Sequence, residues 1–274
     1  MNLHQIHPFE SSYIPRRNVD IWLPPAYPQE VGQRYPVVYM HDGQNLFDPA
    51  LSYAGVDWGV DPALQRLIAS ADFTPPIVVG IWNTDNRLGE YMPEKPLEDP
   101  KSRARVESFI RRFRGEHQFE VCSDAYLAFI VEELKPWVDD QFCTLPDQAN
   151  THIAGSSMGG LISLYAVCQY PGVFCGAGCV SPAWNFGRGV LVPYFGQRLP
   201  DPAHHRLYFD MGSKETPLPW VNWGLLKAQA RMDTFCREAG YTDQKSLLTL
   251  TFPGGKHHES AWRERVEGMI RFLI

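Results

Sequence analysis

The stretch that decides the fold is THIAGSSMGGLISLYA, from Thr151 to Ala166. Its β-branched start predicts a strand and its apolar end predicts a helix, with a cluster of glycines and serines between them. Gly155, Ser157 and Gly159 fit the pattern G-x-S-x-G, in which a nucleophilic serine occupies a strained turn and small neighbours avoid clashes. Ser156 does not fit, because no glycine stands two residues before it. A tight strand-to-helix connection without a catalytic role would need the same small residues. The rest of the chain therefore has to show whether Ser157 is a nucleophile.

Apolar strands alternate with helices along most of the chain, and most of these strands are continuously apolar. This pattern is typical of an α/β protein with a mostly parallel sheet that is covered by helices on both faces. Residues 19–23 alternate between apolar and polar and stop at two prolines, which predicts an edge strand. The other predicted strands cover residues 35–40, 76–82, 176–180, 206–210 and 246–252, and the predicted helices cover 61–68, 124–138, 161–168, 219–239 and 259 onward.

Chemistry is expected just after these strands, because ligands bind beyond the carboxyl ends of parallel strands. A serine nucleophile needs a base, and the base needs an orienting acid. In α/β hydrolases these residues follow in the order serine, acid, histidine. His257 and His258 both follow the last strand and are candidate bases. Asp210, at the end of the preceding strand, and Glu215, farther along its loop, are both candidate acids.

The turn after residues 35–40 offers a second feature of a hydrolase, a donor for the oxyanion. The backbone N–H of Met158, directly after the serine, is expected to be one donor. The loop His41-Asp42-Gly43-Gln44 is expected to supply the other from the N–H of Gln44, with Gly43 allowing the backbone to turn. A simple polar turn is the alternative interpretation of this loop.

Composition excludes several other classes of function. The 274-residue chain has a formal net charge of −6 and no basic run, which argues against nucleic acid or an anionic membrane as a partner. No apolar run reaches the roughly 18 residues that a membrane span needs, and residues 1–8 lack the basic and apolar regions of a secretory signal. The six cysteines form no CxxC pair and are expected to be free thiols in the cytoplasm.

No metal or cofactor is expected. His257, His258 and Glu259 are adjacent in sequence, so their side chains point in different directions and do not converge readily on one ion. The glycine-rich loops that bind dinucleotides or nucleoside triphosphates are absent from the sequence.

Residues 83–118 are rich in charge and proline and predict an irregular surface loop or lid. We therefore expect one α/β-hydrolase domain over residues 1–274, with a charged, lid-like insertion at about 84–120.

These features together resemble the putative esterase family of α/β hydrolases, which includes enterochelin esterases, feruloyl and acetylxylan esterases, S-formylglutathione hydrolases and mycolyltransferases. The resemblance implies Ser157 as nucleophile, His257 as base and Glu215 as acid. It also implies Gln44 and Met158 as oxyanion donors, and Trp184 at the border of the substrate pocket. The matching stretches are YPVVYMHDGQNLFD, NRLGEYMP, DAYLAFIVEELKPWVDD, GSSMGGLISLYA, GAGCVSPAWNF, LYFDMGSKE and GGKHHESAW, in the order of the family.

The function expected from the sequence is therefore serine carboxylic-ester hydrolysis of a small-molecule ester. An acyltransferase would use the same triad and differ only in the acceptor of the acyl group. A non-catalytic binding protein on a hydrolase fold is a further alternative, against which the complete set of Ser157, Glu215 and His257 argues. The sequence contains no heptad repeat from which an oligomeric state could be predicted.

Overall fold

The fold is that of a computed structural model, which describes residues 1–25, 27, 32–70, 72–114 and 120–274. Eight strands lie in one sheet: β1 (Asn2–Phe9), β2 (Arg17–Leu23), β3 (Val37–His41), β4 (Ile77–Ile81), β5 (Thr151–Ser156), β6 (Gly176–Val180), β7 (Arg206–Gly212) and β8 (Leu247–Phe252). The helices are α1 (Val60–Ile68), α2 (Arg87–Tyr91), α3 (Pro100–Arg114), α4 (Ser123–Ala128), α5 (Lys135–Gln141), α6 (Met158–Gln169), α7 (Leu191–Gly196), α8 (Pro219–Glu238), α9 (Glu259–Arg263) and α10 (Val266–Leu273).

The strand order in the sheet is β1-β2-β4-β3-β5-β6-β7-β8. The six strands from β3 to β8 run parallel, whereas β1 and β2 are antiparallel to their neighbours. The carboxyl ends of the six parallel strands therefore lie along one edge of the sheet, where the sequence predicts the site residues. The predicted α/β-hydrolase fold with a mostly parallel central sheet is confirmed.

Helices cover both faces of the sheet because successive residues of a buried strand point to opposite sides. In β3, Val37 and Tyr39 enter one core, whereas Val38 and Met40 enter the other. The first core also contains side chains of α3 to α8, and the second contains side chains of α1 and α10. Burying each such side chain stabilises the fold by roughly 1.5–3 kcal/mol, so the strands with two apolar faces hold the sheet in the middle of the molecule.

The prediction that residues 19–23 form an edge strand is wrong, because β1 pairs with the outer side of β2. The alternation that suggested an edge came from Asp20, which is buried at 2% exposure inside the sheet. Its carboxylate oxygens lie 2.8 Å from His7 Nε2 and 2.6 Å from Trp82 Nε1. A buried carboxylate with such partners does not need solvent, so the polar residue did not mark an exposed face.

The helix predicted around residues 124–138 is continuous but changes its pitch. A π-helical segment, Phe129–Leu134, joins α4 to α5. Pro136 has no N–H to bind the carbonyl four residues earlier, and the wider π turn just before it changes the backbone hydrogen-bond pairing at that point.

The charged segment predicted as irregular is mostly helical, and this expectation is wrong. Described residues between 84 and 120 form α2, a short 3-10 turn (Lys95–Leu97) and α3. Val106 and Ile110, one turn apart on α3, are buried in the first core. That apolar pair anchors an otherwise charged helix, and the surrounding prolines and arginines hid it from the sequence. Residues 115–119 of the predicted insertion lie outside the described part of the chain.

Within the described ranges, no helix combines the length and apolar character needed to cross a lipid bilayer.

Candidate active site

The nucleophile candidate Ser157 lies between β5 and α6, as the sequence predicted. Its backbone has φ 59° and ψ −119°, a strained conformation that non-glycine residues rarely adopt. A Cβ added to Gly155 would lie 3.0 Å from the Cα of Gly159, so the turn requires both small residues to approach each other closely. The turn projects the Ser157 side chain away from the sheet at the start of α6.

Two hydrogen bonds connect Ser157, His257 and Glu215. Oγ of Ser157 lies 2.8 Å from Nε2 of His257, and Nδ1 of His257 lies 2.7 Å from Oε2 of Glu215. These distances are within the range for proton transfer between a nucleophile, its base and an orienting acid. The imidazole also packs edge-on against Trp262, with ring centroids 5.0 Å apart, which limits its rotation. The geometry can therefore activate a serine hydroxyl.

The Glu215 carboxylate is held in its ionised form although its side chain is fully buried. Burial alone would raise the pKa of Glu215, but hydrogen bonds from His257, Ser181 and the N–H of Gly212 outweigh burial and lower the pKa. The hydroxyl of Ser181 donates to Oε1 at 2.7 Å. A charged acid in this position can stabilise an imidazolium when His257 takes up a proton.

The other two candidates from the sequence are engaged elsewhere. Asp210 pairs with Arg265, with Oδ1 and Nη1 3.0 Å apart, and accepts a hydrogen bond from the hydroxyl of Tyr208 at 3.0 Å. His258 is the N-cap of α9, where its Nδ1 accepts from the N–H of Ser260 at 3.2 Å. The structure thus brings Glu215 and His257, and not Asp210 or His258, into line with the serine.

Both oxyanion candidates lie in the first turn of a helix. Met158 begins α6, and Gln44 is the second residue of the 3-10 turn Gly43–Asn45. The first N–H groups of a helix have no partner within it, so such groups are available to an anion. The turn is made by Asp42, which has φ 58°, and not by Gly43 as the sequence suggested. Gly43 is needed for another reason, since a Cβ there would lie 2.5 Å from the carbonyl carbon of Gly80.

An ion pair that the sequence did not reveal holds this turn in its left-handed conformation. Arg87 of α2 binds both carboxylate oxygens of Asp42 at 2.7 Å, and Arg87 outweighs burial to lower the pKa of Asp42. The helix α2 is itself anchored by Glu90, which forms a buried pair with Arg17 at 2.8 Å and 3.0 Å. The stretch NRLGEYMP that contributed to the resemblance therefore contains a support of the candidate oxyanion loop.

Trp184 lies in the wall of a cavity of about 770 Å³. Its side chain is nearly buried, at 3% exposure, and its Nε1 donates to Gln229 at 3.0 Å. The residue before it donates its N–H to the carbonyl of Ser157 at 3.1 Å, and Thr216, which also lines the cavity, directly follows Glu215. The cavity wall thus adjoins Glu215 in the chain, and a backbone hydrogen bond next to Trp184 links it to Ser157.

This cavity combines apolar walls with positive charge. Arg188, Lys227 and Arg231 line it, and none of the described lining residues is acidic. The two most exposed tryptophans, Trp220 at 68% and Trp223 at 65%, lie on the same helix α8 as the lysine. Cavities of this size and composition are typical of small-molecule sites, and the sequence offered no local signal that Arg188 would line the same cavity as Lys227 and Arg231.

The described residues contain no group of three or more histidine, cysteine or carboxylate side chains that could hold a metal ion. Burial raises the pKa of the Cys175 thiol to about 11 and raises the pKa of the Cys236 thiol still further, so neither is a ready nucleophile.

The sequence profile of the Esterase family, described as putative esterase, matches residues 11–273. An uncharacterized protein from Bacillus subtilis, YbbA, is 23% identical over 258 residues, which are 94% of this chain and 92% of YbbA. Two solved structures share the fold. An IroE-like serine hydrolase from Shewanella oneidensis has a TM-score of 0.74 and 20% identity over 98% of this chain and 79% of its own. A ferulic acid esterase has a TM-score of 0.69 and 16% identity over 100% of this chain and 98% of its own.

Proposed function

The chain belongs to the putative esterase family and is an esterase, and we propose that it cleaves carboxylic esters through an acyl-enzyme on Ser157. The observation that carries this proposal is the chain of two hydrogen bonds from Ser157 through His257 to Glu215. A serine hydroxyl alone is a weak nucleophile, and these contacts supply the base and the acid that activate it.

In this mechanism, Ser157 Oγ attacks the ester carbonyl while its proton moves to Nε2 of His257. The imidazolium formed is stabilised by the charge of Glu215 and then donates its proton to the departing alcohol. Water repeats the sequence on the acyl-enzyme, with His257 again as base, and releases the acid. The N–H groups of Gln44 and Met158 are proposed to stabilise the oxyanion that develops in both steps, because preorganised donors act most strongly where charge appears.

A fluorophosphonate probe tests the proposed nucleophile. We expect one probe molecule to attach to Ser157 in the unchanged protein and none to attach after Ser157→Ala, as measured by intact mass and peptide mapping. Ser156→Ala is the matched control, since Ser156 is the preceding serine and lies buried at the end of β5. Labelling that persists in Ser157→Ala, or that disappears in Ser156→Ala alone, contradicts the assignment.

We also propose a single α/β-hydrolase domain over residues 1–274, with the segment at about 84–120 as a lid-like insertion. The packing of Val106 and Ile110 into the first core supports the single domain. All six cysteines are free, which supports a reducing compartment such as the cytoplasm.

The cavity lined by Trp184 and Thr216, the residue after Glu215, supports a proposal about the ester itself. Its apolar walls, with Trp184 and Phe186, suit a bulky or aromatic substituent, and a ferulic acid esterase with the same fold is named for an aromatic ester. The three cations among its lining residues favour a substituent that also carries negative charge. We therefore expect esters with an apolar body and an anionic group to be better substrates than neutral ones.

A pair of esters with one leaving group tests this preference. The 4-nitrophenyl half-ester of adipic acid and 4-nitrophenyl heptanoate have acyl chains of similar length, and only the first is charged. We expect Arg231→Gln to lower kcat/KM for the charged ester by about 3- to 10-fold and to leave the neutral ester within twofold. The control is Arg198→Gln, which removes an arginine that stacks on Tyr194 outside the cavity lining. Equal effects of Arg231→Gln on both esters would refute the charge preference.

A further inference from the structure

Two carboxylates are buried at the end of β7, and only one of them contacts the histidine. Glu215 bonds His257, whereas Asp210 lies 3.0 Å from Nη1 of Arg265. The side chains of Asp210 and Glu215 are both 0% exposed, and that of Arg265 is 2% exposed. Since buried charges are costly unless they are paired, the role of the second carboxylate and its guanidinium needs an explanation.

Ser181 connects the two carboxylates. Its backbone N–H donates to Oδ1 of Asp210 at 3.1 Å, and its hydroxyl donates to Oε1 of Glu215 at 2.7 Å. Ser181 follows β6 directly and has φ 43°, in the left-handed region that favours glycine. A serine in this conformation indicates that its surroundings fix it, and Asp210 is one of the groups that do so.

The direction of the Ser181 proton is determined by its neighbours. Nε1 of Trp262 and Nη1 of Arg265 each lie 3.2 Å from the Ser181 oxygen, and both groups can only donate. They occupy the lone pairs of the hydroxyl, so its single proton points to Glu215. The N–H of Gly212 donates to the same Oε1 atom. Oε1 of Glu215 therefore accepts hydrogen bonds from Ser181 and Gly212, which leaves Oε2 to bind His257.

The charges in this cluster balance in pairs. Asp210 faces Arg265 and receives the Tyr208 hydroxyl, and burial raises its pKa to about 6 against the opposing effect of Arg265. Glu215 faces His257 on one side, and Arg265 lies 4.0 Å from its Oε1 on the other. If the Asp210 charge were removed, the positive charge of Arg265 would act uncompensated on Glu215 and would oppose protonation of His257.

We propose that Asp210 and Arg265 are a positioning pair for the triad. The pair acts through Ser181 to fix the orientation of Glu215, and its balanced charge determines how strongly the Glu215 carboxylate acts on His257. This inference rests on the proposed Ser157–His257–Glu215 mechanism. Neither member of the pair contacts the reacting atoms, so Asp210, a candidate acid in the sequence, supports catalysis indirectly.

Asp210→Asn tests the charge of the pair. It leaves the positive charge of Arg265 unbalanced, so protonation of His257 becomes less favourable. Since burial raises the pKa of Asp210 to about 6 and the carboxyl is charged mainly above that pH, we expect the acidic limb of the kcat/KM profile to move to lower pH by up to about 0.5 unit, with a fall in kcat at the plateau of about 3- to 30-fold. The measurement is the rate of hydrolysis of a short 4-nitrophenyl ester from about pH 4 to about pH 9, a range that contains the acidic limb of a histidine base.

Ser181→Ala tests the link to Glu215 and predicts a shift of the opposite sign. Glu215 loses one donor, so its negative charge acts more strongly on His257, and the acidic limb moves to higher pH by about 0.5 unit. The substitution removes a single oxygen atom and so leaves the fold available if Asp210→Asn does not fold. General loosening of the site would lower kcat without opposite shifts in the two variants.

Asp139→Asn is the matched control, because Asp139 is a largely buried carboxylate that pairs with Lys135 on α5, outside the cluster. We expect its profile to coincide with that of the unchanged protein. An unmoved limb in folded Asp210→Asn, or shifts of the same sign in Asp210→Asn and Ser181→Ala, would overturn the proposal. Fluorophosphonate labelling of Ser157 in each variant separates this failure from a failure of the triad itself.

Discussion

Replacing Ser157 with alanine is expected to lower kcat for short 4-nitrophenyl esters by about 10⁴- to 10⁶-fold. No other hydroxyl takes its position, because Ser156 is buried in β5 at 3% exposure and precedes the turn. The remaining activity would come from the oxyanion donors and from substrate positioning, which do not need the serine oxygen. KM is expected to change little, since Ser157 contributes to the transition state more than to binding.

The comparison for this result is Ser156→Ala, which removes the same atom one residue earlier and is expected to retain kcat within about threefold. Thermal unfolding of both variants checks that their stability is comparable. If Ser157→Ala hydrolysed these esters at the rate of the unchanged protein, another residue would have to be the nucleophile.

Glu215→Gln is expected to lower kcat by about 10³- to 10⁴-fold. Ser181 and Gly212 both donate to Oε1, so the single oxygen of an amide would stay with them and its NH₂ would face Nδ1 of His257. The histidine would then have to accept at Nδ1 and carry its proton on Nε2, where it could not receive the proton of Ser157. The loss therefore comes from the wrong tautomer as well as from the missing charge.

The control for this substitution is Glu133→Gln. It removes a surface carboxylate that binds Ser11 and Ser12 and has no contact with the triad residues among its hydrogen bonds. Steady-state kinetics should show kcat reduced only in Glu215→Gln, with fluorophosphonate labelling slowed in parallel. Activity retained in Glu215→Gln together with activity lost in Asp210→Asn would instead identify Asp210 as the acid.

The sequence was sufficient for the type of sheet and for the strand-to-helix turn that holds Ser157, because both have short-range signals. The glycines around Ser157 and the apolar runs of the parallel strands lie within a few residues of each other. The candidate acid was not decided by the residues alone, since Asp210 lies near the end of β7 and Glu215 follows soon after it. Their partners differ because Glu215, on the loop after Gly212, bonds His257, whereas Arg265 pairs with Asp210.

The supports of the site could not be read from local patterns. Arg17 pairs with Glu90 across 73 residues, and Arg87 pairs with Asp42 across 45. Such contacts depend on the order of strands in the sheet, which periodicity does not encode. The edge-strand prediction for β2 failed for a related reason. Its partner β1 has exposed polar residues and no clear apolar pattern, so β1 could not be recognised as a strand.

The contact between Ser157 and His257 joins residues 100 positions apart, and β6, β7 and β8 lie between them in the chain. The proposed base, His257, follows β8, which is the outermost strand on its side of the sheet. A ribosome has therefore completed the serine turn long before the histidine emerges, and the two can meet only after β8 has docked on β7. Under the proposed mechanism, ester cleavage is consequently a property of the finished sheet, and the appearance of activity during synthesis or refolding would time the docking of its final strand.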